Sequence, residues 1–222
     1  MAENGDAGFN AAGFIADQLN DDNVRTTYSK MRKLAELFLS PPKKGDSEWA
    51  AIVEEAHKRL LLLADVNDRA NSYVSDFFTA QFSMQHGGIM GEFIENGCLA
   101  LGSRPGKGKP AIKGLFIYLG NSNIREAVVK VLKTIAQANP HDVEDVMNDF
   151  ARQWQKKMGV ARTVREIRLH VRACKPDGMH ENLALQIMRS LRLFPARKAH
   201  GVDVQQPHPL GSGAGDKKAR IG

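Results

Sequence analysis

Apolar residues recur at helical spacing along nearly the whole chain, and strong breakers cut that pattern into pieces. Met31, Leu34, Leu37 and Phe38 form one stripe, which stops at Ser40-Pro41-Pro42. Ser47-Glu48-Trp49 opens a second helix, with Ile52, Val53, Ala56, Leu60 and Leu63 on its apolar face. A third runs from Val66 to Met84 with Val74, Phe77, Phe78 and Phe82 inward, and His86-Gly87-Gly88 breaks it. Ile89 to Leu101 reads as a short, weaker helix interrupted by Gly91 and Gly97. Ile112 to Leu119 is too short and too apolar for periodicity to separate a strand from a buried helical turn. Asn123 caps the next helix, whose buried face is Ile124, Val128, Val131, Leu132 and Ile135. Asn139-Pro140 ends it and starts another, which carries Asp142, Glu144 and Asp145 early and Lys156-Lys157 late, matching the helix dipole at both ends. Gly159 terminates that helix, and two more follow, Thr163 to Cys174 and Met179 to Phe194, separated by Lys175-Pro176-Asp177-Gly178. The expectation is an all-α, compact multi-helix fold arranged as two lobes. At 222 residues it has enough core to need neither disulfide nor metal.

Charge divides the same chain by position. Residues 1–100 hold nine Lys/Arg against fifteen Asp/Glu, whereas 101–222 hold 22 against ten. The whole-chain net of +6 hides this asymmetry. A strongly basic segment is an electrostatic footprint for a polyanion, most often nucleic acid. The division predicts a flexible N-terminal arm at 1–8, an acidic helical lobe at 9–101, a basic loop at 102–110, a basic helical lobe at 111–198 and a disordered tail at 199–222. The tail expectation rests on Gln-Gln-Pro-His-Pro and Gly-Ser-Gly-Ala-Gly, which offer little to bury. The opening MAENGDAGFN has neither the basic stretch nor the apolar run of a secretory signal. The longest apolar run, Leu60–Ala64, falls far short of the roughly 20 residues that span a bilayer, so no membrane insertion is expected. Two cysteines, Cys98 and Cys174, make no disulfide framework and suit a reducing compartment.

The helix over 162–174 carries the most specific arrangement. At 100° per residue Val164, Ile167 and Val171 fall within about 60° of each other, and Arg165, Arg168 and Arg172 share a second sector of about 60° beside it. Arginine suits phosphate because its planar fork binds bidentately and never loses its charge. Lys156, Lys157 and Arg162 precede this flank; Lys175, Arg189, Arg192, Arg197 and Lys198 follow. Between 151 and 222 there are 15 bases and five acids, too few for local neutralisation. The alternative is a solvated face with salt bridges to Asp149, Glu166 or acids of the first half.

The loop Gly102–Pro110 looks like a phosphate loop but lacks its spacing: Lys107 follows Gly102 by five positions and Lys109 is followed by Pro110. Its Arg104, Lys107 and Lys109, with Lys113, are candidate contacts to a phosphate backbone. His170 and Cys174 stand four apart with His180 nearby, yet no second cluster completes a zinc site, so no metal or other cofactor is expected. Cys98 and Cys174 read as small buried hydrophobes. Tyr118 and Trp154, close to basic residues, are the candidates for stacking on bases. No spacing of catalytic residues is present, so no enzymatic activity and no small-molecule substrate are expected.

A helical core with an acidic first part, a basic later part and a small-residue tail resembles the nucleocapsid and coat proteins of RNA viruses that form helical particles. The resemblance is architectural and covers most of the chain. It implies binding of single-stranded RNA in a basic groove between helical lobes, homo-oligomers linked by a terminal arm, and a location in the virion or host cytoplasm. The residues it places against RNA are those of 156–175 and 189–198, with Phe9, Phe14 and Ile15 as an N-terminal anchor. A second reading, independent of the resemblance, is a helix-turn-helix regulator of DNA, with Arg189 and Arg192 on the reading helix; against it, Leu183, Leu185, Ile187, Met188, Leu191 and Leu193 make that helix look buried.

Overall fold

Local signals fix where the first two helices begin. Asn10 accepts a hydrogen bond from the amide of Gly13 at 2.9 Å and so starts α1 (Ala11–Leu19). Thr26 and Ser29 cap each other's amides at 3.0 and 2.9 Å, a reciprocal box that opens α2 (Thr27–Leu39). In this computed structural model the described residues are 9–40, 45–84, 88–174 and 180–191. They contain eight further helices: α3 (Asp46–Leu63), α4 (Asp68–Met84), α5 (Gly88–Gly102), α6 (Lys109–Tyr118), α7 (Arg125–Ala138), α8 (Pro140–Met158), α9 (Val160–Cys174) and α10 (His180–Ser190). No strand occurs among the described residues, so the fold class is all-α. The arm expected at 1–8 and the tail expected at 199–222 lie outside them. Among the described residues no helix is long and apolar enough to cross a membrane.

One contiguous core runs from Ile15 to Met188 and crosses the 102–110 segment without interruption. α6 lies near its middle, packed along α4 and against α5, α7, α8. This settles the ambiguity over 112–119. The segment is helical, and Ala111, Ile112, Gly114, Leu115 and Phe116 are all buried. A helix covered on most sides has no polar face to reveal its period. Gly97 is buried in α5, where an added Cβ would overlap the Phe78 ring of α4. The glycine that reads as a helix interruption is therefore a point of close helix approach.

Helix starts differ from the sequence expectation: α4 begins at Asp68 rather than Val66 and α9 at Val160 rather than Thr163. Asn123 does not cap α7: its amide donates to Asn121 Oδ1 at 3.1 Å in the preceding turn, and the helix starts at Arg125 after Ile124. Phe9, Phe14 and Ile15 belong to this chain's own core: Ile15 is fully buried, Phe9 and Phe14 pack on the cluster, and α1 lies against α3. Phe9 and Phe14 are partly buried there and keep part of their surface exposed.

Candidate nucleic-acid interface

Gly159 sets the direction of α9. Its φ of 75° and ψ of 172° form a conformation in which a side chain is strained, and it reverses the chain directly after α8. α9 then returns along α8 and is held by its buried face, which includes Ile167, Val171 and Cys174. Thr163 Oγ1 donates to the Gly159 carbonyl at 2.6 Å and secures the first turn.

His170 is the pivot of that face. Its ring lies 4.6 Å from the Trp154 ring and 4.9 Å from that of Phe116. Nδ1 stands 2.9 Å from the Glu166 carbonyl and Nε2 stands 3.2 Å from the Phe116 carbonyl. A neutral imidazole has one N–H and can donate to only one of them. Burial pushes its pKa below the ordinary value, opposed in part by those two carbonyls. Trp154, a stacking candidate from the sequence, is thus packed on His170 and Phe150, and Tyr118 is half-buried against the core. Cys98 and Cys174 are buried, and burial pushes the Cys98 thiol upward. Among the described residues no three His, Cys, Asp or Glu side chains come together in a way that could hold a metal ion.

With one side pinned, the other side of α9 presents its arginines. Arg165, Arg168 and Arg172 are exposed and line a notch of about 440 Å³. Seven residues of helix separate the first from the last, about 10 Å along the axis. Gly120 and Arg125, from the turn between α6 and α7, form the opposite wall. Arg125 Nε donates to the Leu119 carbonyl at 2.9 Å, which fixes the guanidinium over that turn. Among the described residues four arginines and one carboxylate, Glu166, line the notch. Arg162 lines an adjoining pocket of about 480 Å³ that shares Arg165 and Glu166 with the notch. Arg165 and Arg172 have no carboxylate partner among the described residues.

Arg125 was not a sequence candidate. Its one local signal is a cation in the first turn of a helix, where the dipole disfavours positive charge. Its partners in the notch come from a helix some 40 residues later, which no local pattern reveals.

The cations of 102–113 are placed otherwise. Arg104 donates to Asp65 at 2.7 Å and to the Leu61 carbonyl at 3.2 Å, tying the loop to the end of α3. Lys109 pairs with Asp145 at 2.8 Å, and that hydrogen bond raises its pKa. Lys113 stands 4.0 Å from Asp149. Lys107 is exposed, with its backbone carbonyl accepting from Asn71 Nδ2 at 2.8 Å. Beneath the loop, buried Asp142 accepts from the Gly108 amide at 2.9 Å. Asn139 Nδ2 lies within hydrogen-bond range of the Gly102 and Arg104 carbonyls and of Asp142, at 3.1, 2.8 and 2.9 Å. The segment read as an irregular loop is a turn held by hydrogen bonds at the Gly102, Arg104, Lys107 and Gly108 backbone, and its cations do not line the α9 notch.

The remaining candidates are dispersed. Lys156 and Lys157 are exposed on the last turn of α8, and Arg189 on the last turn of α10. Lys175 and Arg192 lie outside the described residues. α10 turns Ala184, Ile187 and Met188 into the core and packs on α9, so the arginine cluster sits on the first helix of the proposed helix-turn-helix pair rather than the second. Arg104 bridges to Asp65 and Lys130 to Glu95, carboxylates of the first hundred residues. No protein-family model, curated protein or solved structure matches the chain.

Proposed function

We propose that this chain is a structural RNA-binding protein that coats single-stranded RNA and self-assembles into a nucleocapsid or capsid, with no catalytic role. The observation that carries the reading is the notch between α9 and the α6–α7 turn, lined among the described residues by Arg125, Arg165, Arg168 and Arg172 and by one acid, Glu166; Arg165 and Arg172 have no carboxylate partner among those residues. Such a site recognises phosphate by charge and geometry and carries no base preference. Burial on the opposite side of α9 keeps the backbone that carries these arginines on a packed support. The reading places the protein in the virion or host cytoplasm and makes homo-oligomers its working form. A DNA regulator reading is less well supported, because the apolar face of α10 is turned inward.

The test is binding of single-stranded RNA by the full chain at several salt concentrations, with light scattering to follow assembly. The wild-type chain should bind with a steep salt dependence, and scattering should rise with added RNA. Arg165→Ala, Arg168→Ala and Arg172→Ala together should weaken binding at low salt by 10-fold or more, on the order of magnitude that three lost phosphate contacts imply. Tight, salt-insensitive binding by a monomer would remove the proposal.

A further inference from the structure

The aromatic residues named from the sequence as stacking candidates are packed against the core, but another pair is not. Tyr28, on the first turn of α2, is 53 % exposed. Its ring meets that of Tyr73, on α4, at 5.3 Å and 68°, edge to face. Arg69 Nε donates to the Tyr73 hydroxyl at 2.6 Å, and the guanidinium carbon lies 5.4 Å from the Tyr73 ring centre. These three side chains, with Thr27 and Asn67, line an open groove of about 540 Å³. A buried tyrosine pair belongs to a core; a half-exposed tyrosine set edge to face on a partly buried one, with an arginine bracing the second ring, is a prepared aromatic platform.

We infer that the Tyr28–Arg69–Tyr73 groove is a stacking site for a base of single-stranded RNA, an inference that rests on the RNA-binding reading above. The local chemistry selects a ring over a phosphate. Arg69 is the one cation that lines the groove among the described residues, and its Nε is committed to the Tyr73 hydroxyl. A bare phosphate here would face that one cation, whereas the neutral face of a base meets both a tyrosine ring and a guanidinium plane. The groove therefore offers stacking, while the α9 notch offers phosphate contacts.

The experiment compares binding of a short oligouridylate and an abasic oligomer with the same number of phosphates, by fluorescence anisotropy on the full chain. Tyr28→Ala is the informative variant because that side chain is half-exposed and contributes little to the core. It should weaken oligouridylate binding by about 5- to 100-fold, leave the abasic oligomer unchanged and leave the salt dependence unchanged. Tyr28→Trp should restore binding, since stacking needs a ring and not a hydroxyl. The α9 triple-alanine variant should weaken both oligomers together. If wild type and Tyr28→Ala show the same preference for oligouridylate over the abasic oligomer, the stacking site is overturned and the phosphate-binding reading stands. If the wild-type chain binds neither oligomer, the RNA-binding reading falls and the stacking site falls with it.

Discussion

The basic segment 102–113 and the arginine flank of α9 are built from the same residue types but do different things. In the first, Arg104, Lys109 and Lys113 each stand within 4.0 Å of a carboxylate. In the second, Arg165 and Arg172 have no such partner among the described residues and open on a notch with Arg125 and Arg168. The difference arises from what lies across from each. The first segment faces the end of α3 and the acid-rich start of α8; the second faces the α6–α7 turn, which contributes another arginine. Local density of positive charge thus does not identify a binding surface. The balance of charge across the contact does, and only the folded chain supplies it.

The comparison breaks most visibly at Asp142. If the 102–110 turn is structural, Asp142→Ala strands the Gly108 amide in a buried site and removes one of the three acceptors of Asn139 Nδ2. The cost should be about 2–4 kcal/mol, or roughly 5–12 °C in melting temperature for a chain of this size. Thermal unfolding of that variant checks it, and a change within a degree would mean the turn is dispensable.

Gly159→Ala sharpens the other side. A side chain at φ 75° and ψ 172° should cost about 1–3 kcal/mol and should weaken RNA binding, because the turn aims α9. Melting and anisotropy measured together separate the two effects. Arg104→Ala should cost about 1 kcal/mol through loss of its Asp65 and Leu61 contacts, with RNA affinity unchanged; a drop in affinity would return the loop to the interface.

The smallest effect concerns pH. His57 and His170 both have pKa values lowered chiefly by burial, and His57 Nε2 is buried with no hydrogen-bond partner. The native state therefore prefers both rings neutral. Below the ordinary value of 6.5 the unfolded chain takes up more protons than the folded one, so stability is full above that pH and falls as pH drops toward the lowered values. Melting temperatures from pH 7.5 to 5 should decline, and His170→Gln should make the decline shallower. An equal slope in that variant would mean His170 does not titrate in this window.

Much of the architecture was legible because most helices keep one face wet. The stripe of Leu34, Leu37 and Phe38, the Asn139-Pro140 junction and the arginine flank of α9 all follow from periodicity and capping. α6 was ambiguous because its burial on most sides erases the period, and Gly97 was misread because its reason is a ring from another helix. Half of the notch was legible, namely the α9 side. Arg125 was not, and neither was the pairing of Arg104 with Asp65, since both depend on contacts between distant parts of the chain. The Tyr28–Tyr73 pair was hidden for the same reason, with 45 positions between its members.

The most direct test of the central claim sets two variants side by side: Arg165→Ala/Arg168→Ala/Arg172→Ala and Arg104→Ala/Lys109→Ala/Lys113→Ala. For each, the logarithm of single-stranded RNA affinity is plotted against the logarithm of salt concentration. The α9 variant should lose about two units of slope, at about 0.7 per phosphate for a single strand, while the loop variant keeps the wild-type slope. Equal slopes for the two variants, or a loss confined to the loop variant, would contradict the assignment of the α9 notch as the phosphate-binding surface.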